Sequence, residues 1–139
     1  MHALTRLITE WESDGITLCP PLSASAVRAL FEPIADRVSE DVLRLYTLTG
    51  GMHDRGSDRH LFSLWPPTKV AWVATIEPGT DMAFADVMID AARFSFRRES
   101  PDRSAVYGGY NDDRRMADSV VDFFERVLTD PASVELFVT

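Results

Sequence analysis

Apolar residues recur at helical spacing at both ends of this chain and fall into short bursts in between. Leu4, Leu7, Ile8 and Trp11 follow one helical face and Gly15 offers a stop, which predicts a first helix over about 2–13. Ile16 to Cys19 reads as an extended link into Pro20-Pro21, which cannot continue a helix. Leu22 and Val27 bracket Ser23 as a hydrophobic staple around an N-cap, so a second helix starts near Ala24 and ends before Pro33. Val38, Ser39 and Leu43 repeat that arrangement, with Glu40 and Asp41 where the helix dipole favours negative charge. Val42, Leu45, Tyr46 and Thr49 make its stripe, and Gly50-Gly51 supplies the positive φ that ends such helices.

Met52 to His60 is polar and reads as a loop, whereas Leu61 to Trp65 has the content of a short strand. Pro66-Pro67 starts a turn into a helix over Thr68 to Thr75, and Pro78-Gly79 punctuates the chain again. From Met82 to Arg98 the bursts Met82-Ala83-Phe84, Val87-Met88-Ile89 and Phe94-Ser95-Phe96 predict two or three strands, although Ala91-Ala92-Arg93 also suits a helix. Glu99 to Ser104 is a turn, Ala105-Val106-Tyr107 a strand closed by Gly108-Gly109, and Asn111 to Arg115 an exposed loop. Val120, Phe123, Phe124, Val127 and Leu128 form the apolar face of a last helix, capped by Asp118 or Ser119 and ended by Asp130-Pro131. The pattern predicts a single α+β domain over 1–139, a mainly antiparallel sheet packed with about four to five helices.

Composition narrows the class. The chain has 139 residues, 45% of them apolar and 26% charged, the balance of one ordinary globular domain. No stretch approaches a membrane span or a signal h-region, so a cytoplasmic protein without a membrane partner is expected. One cysteine, Cys19, allows no internal disulfide. The net charge of −8 is spread along the chain, which repels nucleic acid and would steer a basic protein toward it.

Four segments occur in a telling order: Val38-Ser39-Glu40-Asp41 running to Leu45-Tyr46-Thr47-Leu48-Thr49-Gly50-Gly51; Leu64-Trp65-Pro66; Phe84-Ala85-Asp86-Val87-Met88-Ile89-Asp90; and Met116-Ala117-Asp118-Ser119 to Phe123-Phe124. Over roughly residues 20–130 this series resembles the SUKH superfamily of Smi/Knr-like domains, which includes bacterial toxin-immunity proteins and yeast regulators of cell-wall synthesis. Two positions depart from the family pattern: Ser39 stands where a proline is usual, and Gly50-Gly51 where Asn-Gly is usual. Both replacements suit a cap and a stop, but any partner contact of the family asparagine does not carry over. The resemblance implies a protein-binding domain rather than an enzyme, with no cofactor, acting as a monomer or weak homodimer.

Candidate chemistry is sparse. His53, Asp54, Asp58 and His60 are the one cluster of possible metal ligands, but their spacing matches no metal motif, and a flexible polar loop with Arg55 and Arg59 pairing to the acids is the preferred reading. Asp86 with Asp90, and Asp112 with Asp113, show no sign of converging on a pocket as a general acid and base. Trp65 is expected in the core; Trp72 and Tyr110 are expected to be exposed. Arg97-Arg98 and Arg114-Arg115 are isolated basic pairs. The expected function is therefore an immunity-type protein that binds a basic toxin domain, possibly a nuclease, through Asp54, Asp58, Trp72, Asp86, Asp90, Tyr110, Asp112 and Asp113. The alternatives are a regulatory scaffold or peptide-binding module, and a metal-dependent enzyme using the His53–His60 loop.

Overall fold

Helices form where the 3.6-residue spacing places them, and their ends follow from the residues there. The computed structural model describes residues 1–53, 56–110 and 113–137. Helix α1 spans His2–Ser13, α2 Ala24–Phe31, α3 Glu40–Leu48, α4 Pro67–Ile76 and α5 Val120–Thr129, with 3₁₀ turns at Glu32–Arg37 and Pro131–Val134. The strands are β1 Phe62–Leu64, β2 Asp81–Val87, β3 Ala92–Arg98, β4 Ser104–Gly109 and β5 Arg114–Ala117. They form one antiparallel sheet in chain order, β1-β2-β3-β4-β5, so the α+β expectation holds. No helix among the described residues is long and apolar enough to cross a membrane.

Alternation along β3 decides which face is which. Ala92, Phe94 and Phe96 point inward and are buried, while Arg93, Ser95 and Arg97 point outward. A bulge in β2 between Ala83 and Ala85 inserts Phe84 as an extra inward residue. Phe84 then stacks on Phe96 with ring centroids 3.8 Å apart, and Phe123 of α5 meets Phe84 edge-on at 5.6 Å. Because of the bulge, Asp86 emerges on the outer face opposite Arg93. Helix α5, with α1 and α3 against it, closes the inner face, and α4 packs along β2.

The start of α3 is tied to the far end of the sheet. Ser39 sits at the expected N-cap position, but its hydroxyl does not cap the helix. Instead the Glu40 and Asp41 amides donate to the Pro101 and Asp102 carbonyls of the β3–β4 turn, at 2.9 and 3.2 Å. The Asp41 carboxylate accepts from the Ser39 hydroxyl, from the Ser104 amide at 3.3 Å and from the Val120 amide at 3.4 Å. Ser39 and Ser104 share a further hydrogen bond of 2.6 Å. One side chain thus joins the starts of α3, β4 and α5.

Two local expectations change. Helix α3 has already stopped when Gly50-Gly51 is reached, because Thr49 is extended. The glycines serve close approach instead: a Cβ on Gly50 would collide with the Pro20 carbonyl, and one on Gly51, at φ 81°, would lie 2.7 Å from the Trp65 oxygen. That room lets Cys19 and residues 50–51 exchange backbone hydrogen bonds, so the link after α1 becomes part of the packed structure. Part of the expected loop over Asn111 to Arg115 is strand, since Arg114 and Arg115 pair with Gly108 and Tyr107. The two strands expected between Met82 and Arg98 do form, and Ala92 opens β3 rather than a helix.

If Asp41 is the tie described, Asp41→Ala lowers unfolding free energy by about 3 kcal/mol, since several buried donors lose a charged acceptor. Glu40→Ala, which removes only an exposed pair with Arg28, costs less than about 0.5 kcal/mol. Urea unfolding of the two variants checks this; equal midpoints would refute the assignment.

Candidate functional site

The outer face of the sheet is built by the outward half of the strand alternation. From β1 to β5 it presents Ser63, Asp86, Arg93, Ser95, Arg97, Tyr107 and Arg115 in register. Each arginine there is held between two carboxylates. Arg93 bonds Asp90 at 2.7 Å and Glu77 at 3.1 Å; Arg97 bonds Asp81 at 2.8 Å and Asp113 at 2.7 Å; Arg115 bonds Asp118 at 2.9 Å and Glu99 at 2.5 Å. Arg97 also lies over the Tyr107 ring, 3.7 Å from its centroid. These contacts hold all three guanidiniums above their ordinary pKa, in Arg93 chiefly through Asp90, in Arg97 through Asp81 and in Arg115 through Glu99. Arg115 likewise holds the Glu99 carboxyl below its ordinary value.

Exposed ion pairs of this kind add little stability, about 0–1 kcal/mol each. Their effect is to fix a charge pattern. With Arg103, which also bonds Glu99 at 3.3 Å, four guanidiniums face six carboxylates, so the set keeps an excess of negative charge while every arginine in it is already engaged.

At the β1 end the face opens into a groove. The Trp65 indole N–H donates to Asp86 Oδ2 at 2.6 Å, and Lys69 Nζ sits 4.2 Å above the same ring. A depression of about 410 Å³ lies on one side of Trp65, rimmed by Leu61, Met88 and Ile89. A second of about 440 Å³ lies toward His53 and Trp72. The rim is strained: Met88, Ile89 and Asp90 have φ of 54°, 54° and 68°, a left-handed run that costs about 1–2 kcal/mol per residue and is most unusual for a β-branched side chain. It is held by the Met88 amide on the Leu61 carbonyl at 3.0 Å, the Asp90 amide on Asp86 Oδ1 at 3.3 Å, and the Tyr110 hydroxyl against the Met88 sulfur at 3.3 Å. The turn thereby presents Ile89 93% exposed, beside half-exposed Met88 and Tyr110.

The structure sorts the residues picked from sequence. Asp86, Asp90, Tyr110 and Asp113 come together on or beside the outer face, and Trp72 flanks the groove from α4. Trp65 is buried as expected, and Trp72 and Tyr110 are exposed as expected. Asp54, Arg55 and Asp112 lie outside the described residues. The flexible-loop reading of Asp58 is corrected: the residue is 6% exposed, accepting from Trp11 Nε1 at 3.1 Å and from the His60 and Phe62 amides at 2.8 and 3.0 Å. It fastens α1 to β1 on the helical side of the sheet. His60 is also buried, with Nδ1 unpartnered, whereas His53 is exposed. Among the described residues no three His, Cys, Asp or Glu side chains converge as metal ligands.

Glu77, Asp81, Met88 and Ile89 belong to this surface and were not singled out by sequence. The Arg93-Ser95-Arg97 alternation against Phe94-Phe96 is the signal that could have revealed the face. Compared with family models, curated proteins and solved structures, the chain matches none.

Asp58→Ala should lower the melting temperature by about 5–10 °C, having stripped three buried donors of their acceptor. Asp113→Ala should shift it by no more than about 2 °C. Calorimetric scans of both variants would expose a wrong sorting if Asp113 proved the costlier loss.

Proposed function

We propose that this chain is a non-catalytic protein-binding domain of the immunity type, which neutralises a basic toxin domain by covering its active surface. The observation that carries the reading is the outer sheet face, where a fixed excess of carboxylates adjoins exposed Met88, Ile89 and Tyr110. Carboxylates already positioned by arginines draw a cationic surface in and set its register. Apolar and aromatic anchors at one end then supply the short-range contact energy. The net charge of −8 extends the same field beyond the face. The SUKH resemblance points the same way, and a cytoplasmic site of action goes with it.

A peptide-binding scaffold would use the Trp65 groove instead of the charged face, and would bind several partners modestly. The enzymatic alternative is weakened because the Asp58 oxygens are occupied by Trp11, His60 and Phe62.

The test is recovery of the tagged protein from its own cells at low and high salt. One stoichiometric basic partner is expected, released by salt, whose expression alone arrests growth and whose co-expression with this chain does not. With that partner in hand, Asp90→Lys together with Asp113→Lys should slow association by about tenfold at low salt and far less at high salt, with folding unchanged. A non-toxic partner, or an unchanged association rate, would sink the proposal.

A further inference from the structure

We propose that the turn over residues 87–91 is the element that enters the partner, with Ile89 as a plug in a cleft lined by cations. This rests on the immunity reading and names the contact that does the blocking. Strands β1 to β4 share one end of the sheet, since Phe62 pairs with Val87, Val87 with Ala92 and Arg93 with Gly109. Leu61, Met88, Ile89 and Tyr110 therefore stand beside one another there. They are four of the eight large apolar side chains exposed among the described residues, so apolar exposure is concentrated at this end rather than scattered.

Backbone strain collects at the same place. Five non-glycine residues among those described have left-handed φ: Leu61 at 60°, Met88 and Ile89 at 54°, Asp90 at 68° and Glu135 at 62°. The first four build the apolar end, and the Glu135 carboxylate reaches it to accept the Tyr110 amide at 2.9 Å. Three of the five follow one another in a single left-handed turn, closed by the Ala91 amide on the Val87 carbonyl at 3.0 Å. L-residues adopt this conformation singly rather than in runs, and each instance costs free energy. Glycine or asparagine at such positions would make the same connection at less cost. The core does not require isoleucine here, because Ile89 is 93% exposed. Strain kept without benefit to folding, where apolar side chains meet solvent, points to a contact site.

Charge and shape select the occupant. Ile89 stands at the tip of the connection between two strands, so the surface that receives it is concave. Asp90 and Glu77 are half-exposed and share Arg93, while Lys69 is engaged over the Trp65 ring. A recess with an apolar floor and a cationic rim fits this tip. An enzyme that acts on an anionic substrate has a cationic cleft, and a plug in it excludes the substrate directly.

Ile89→Asn separates stability from binding, because asparagine takes left-handed φ at less cost than a β-branched residue. Calorimetry of the free chain should show its melting temperature raised by about 2–5 °C. The same substitution should weaken the complex with the salt-released basic partner at least about tenfold, chiefly through faster dissociation. Ile89→Lys, which carries a cation into a cationic cleft, should weaken it at least about a hundredfold and let the co-expressed partner arrest growth. Val121→Ala, which trims an exposed apolar side chain on α5, should leave binding and growth unchanged. A melting temperature that fell or stayed constant in Ile89→Asn, or binding by either Ile89 variant within about threefold of the parent, would overturn the proposal. If association still slowed in the Asp90→Lys, Asp113→Lys chain, the immunity reading would stand without the plug. Recovery of no basic partner at either salt would remove both.

Discussion

The carboxylate of Asp41 is the constraint on which this architecture turns. Residue 41 stands in the first turn of α3, and the amides of Ser104, which opens β4, and Val120, which opens α5, both converge on its oxygens. Each contact satisfies a backbone donor that a helix or strand start leaves without a partner. The Glu40 and Asp41 amides complete the arrangement by using the β3–β4 turn as their acceptor. Helix α3 is thus capped by a distant part of the chain. This couples the helical layer to the sheet more strictly than apolar contact could, because hydrogen bonds fix direction and register where burial fixes only proximity.

Closing one face of the sheet with helices sets the character of the other. The inner residues Phe62, Phe84, Phe94, Phe96 and Phe123 form a continuous aromatic cluster, so the strands cannot slip by one residue without turning those rings into water. That same register fixes Asp86, Arg93, Arg97, Tyr107 and Arg115 on the outside. The surface charge pattern is therefore a consequence of core packing, and a polar partner would meet a template that does not rearrange.

Much of this is legible in the sequence, for identifiable reasons. Helices α1 and α5 are set by long stripes such as Leu4-Leu7-Trp11 and Val120-Phe123-Phe124-Val127, where period and burial agree. Strand β5 is harder, because Arg114 and Arg115 are polar for the sake of the outer face and only Met116 and Ala117 are buried. Asp58 and Asp86 look like surface acids because nothing in their local sequence indicates that tryptophans 47 and 21 residues away will donate to them. The role of Ser39 is obscured likewise: local spacing marks it as a cap, but the acceptor that the helix uses comes from residues 101 and 102. Periodic burial is written locally, whereas pairing between distant polar groups is written only in the folded chain.

The strained turn at Met88, Ile89 and Asp90 shows what such pairing accomplishes. A run of left-handed residues that includes a β-branched side chain would relax if it were free. Here Asp86 holds the Asp90 amide with one oxygen and the buried Trp65 indole with the other. The turn is thereby anchored to the wall of the core, and Ile89 is displayed because that anchor outweighs the cost of its backbone. A backbone so anchored would lose little further freedom if a partner bound there, so that part of the ordering penalty would be met during folding rather than at binding. An exposed isoleucine on a loose loop would present the same chemistry with a larger entropic cost, and it is the Asp86 bridge between core and surface that separates the two cases.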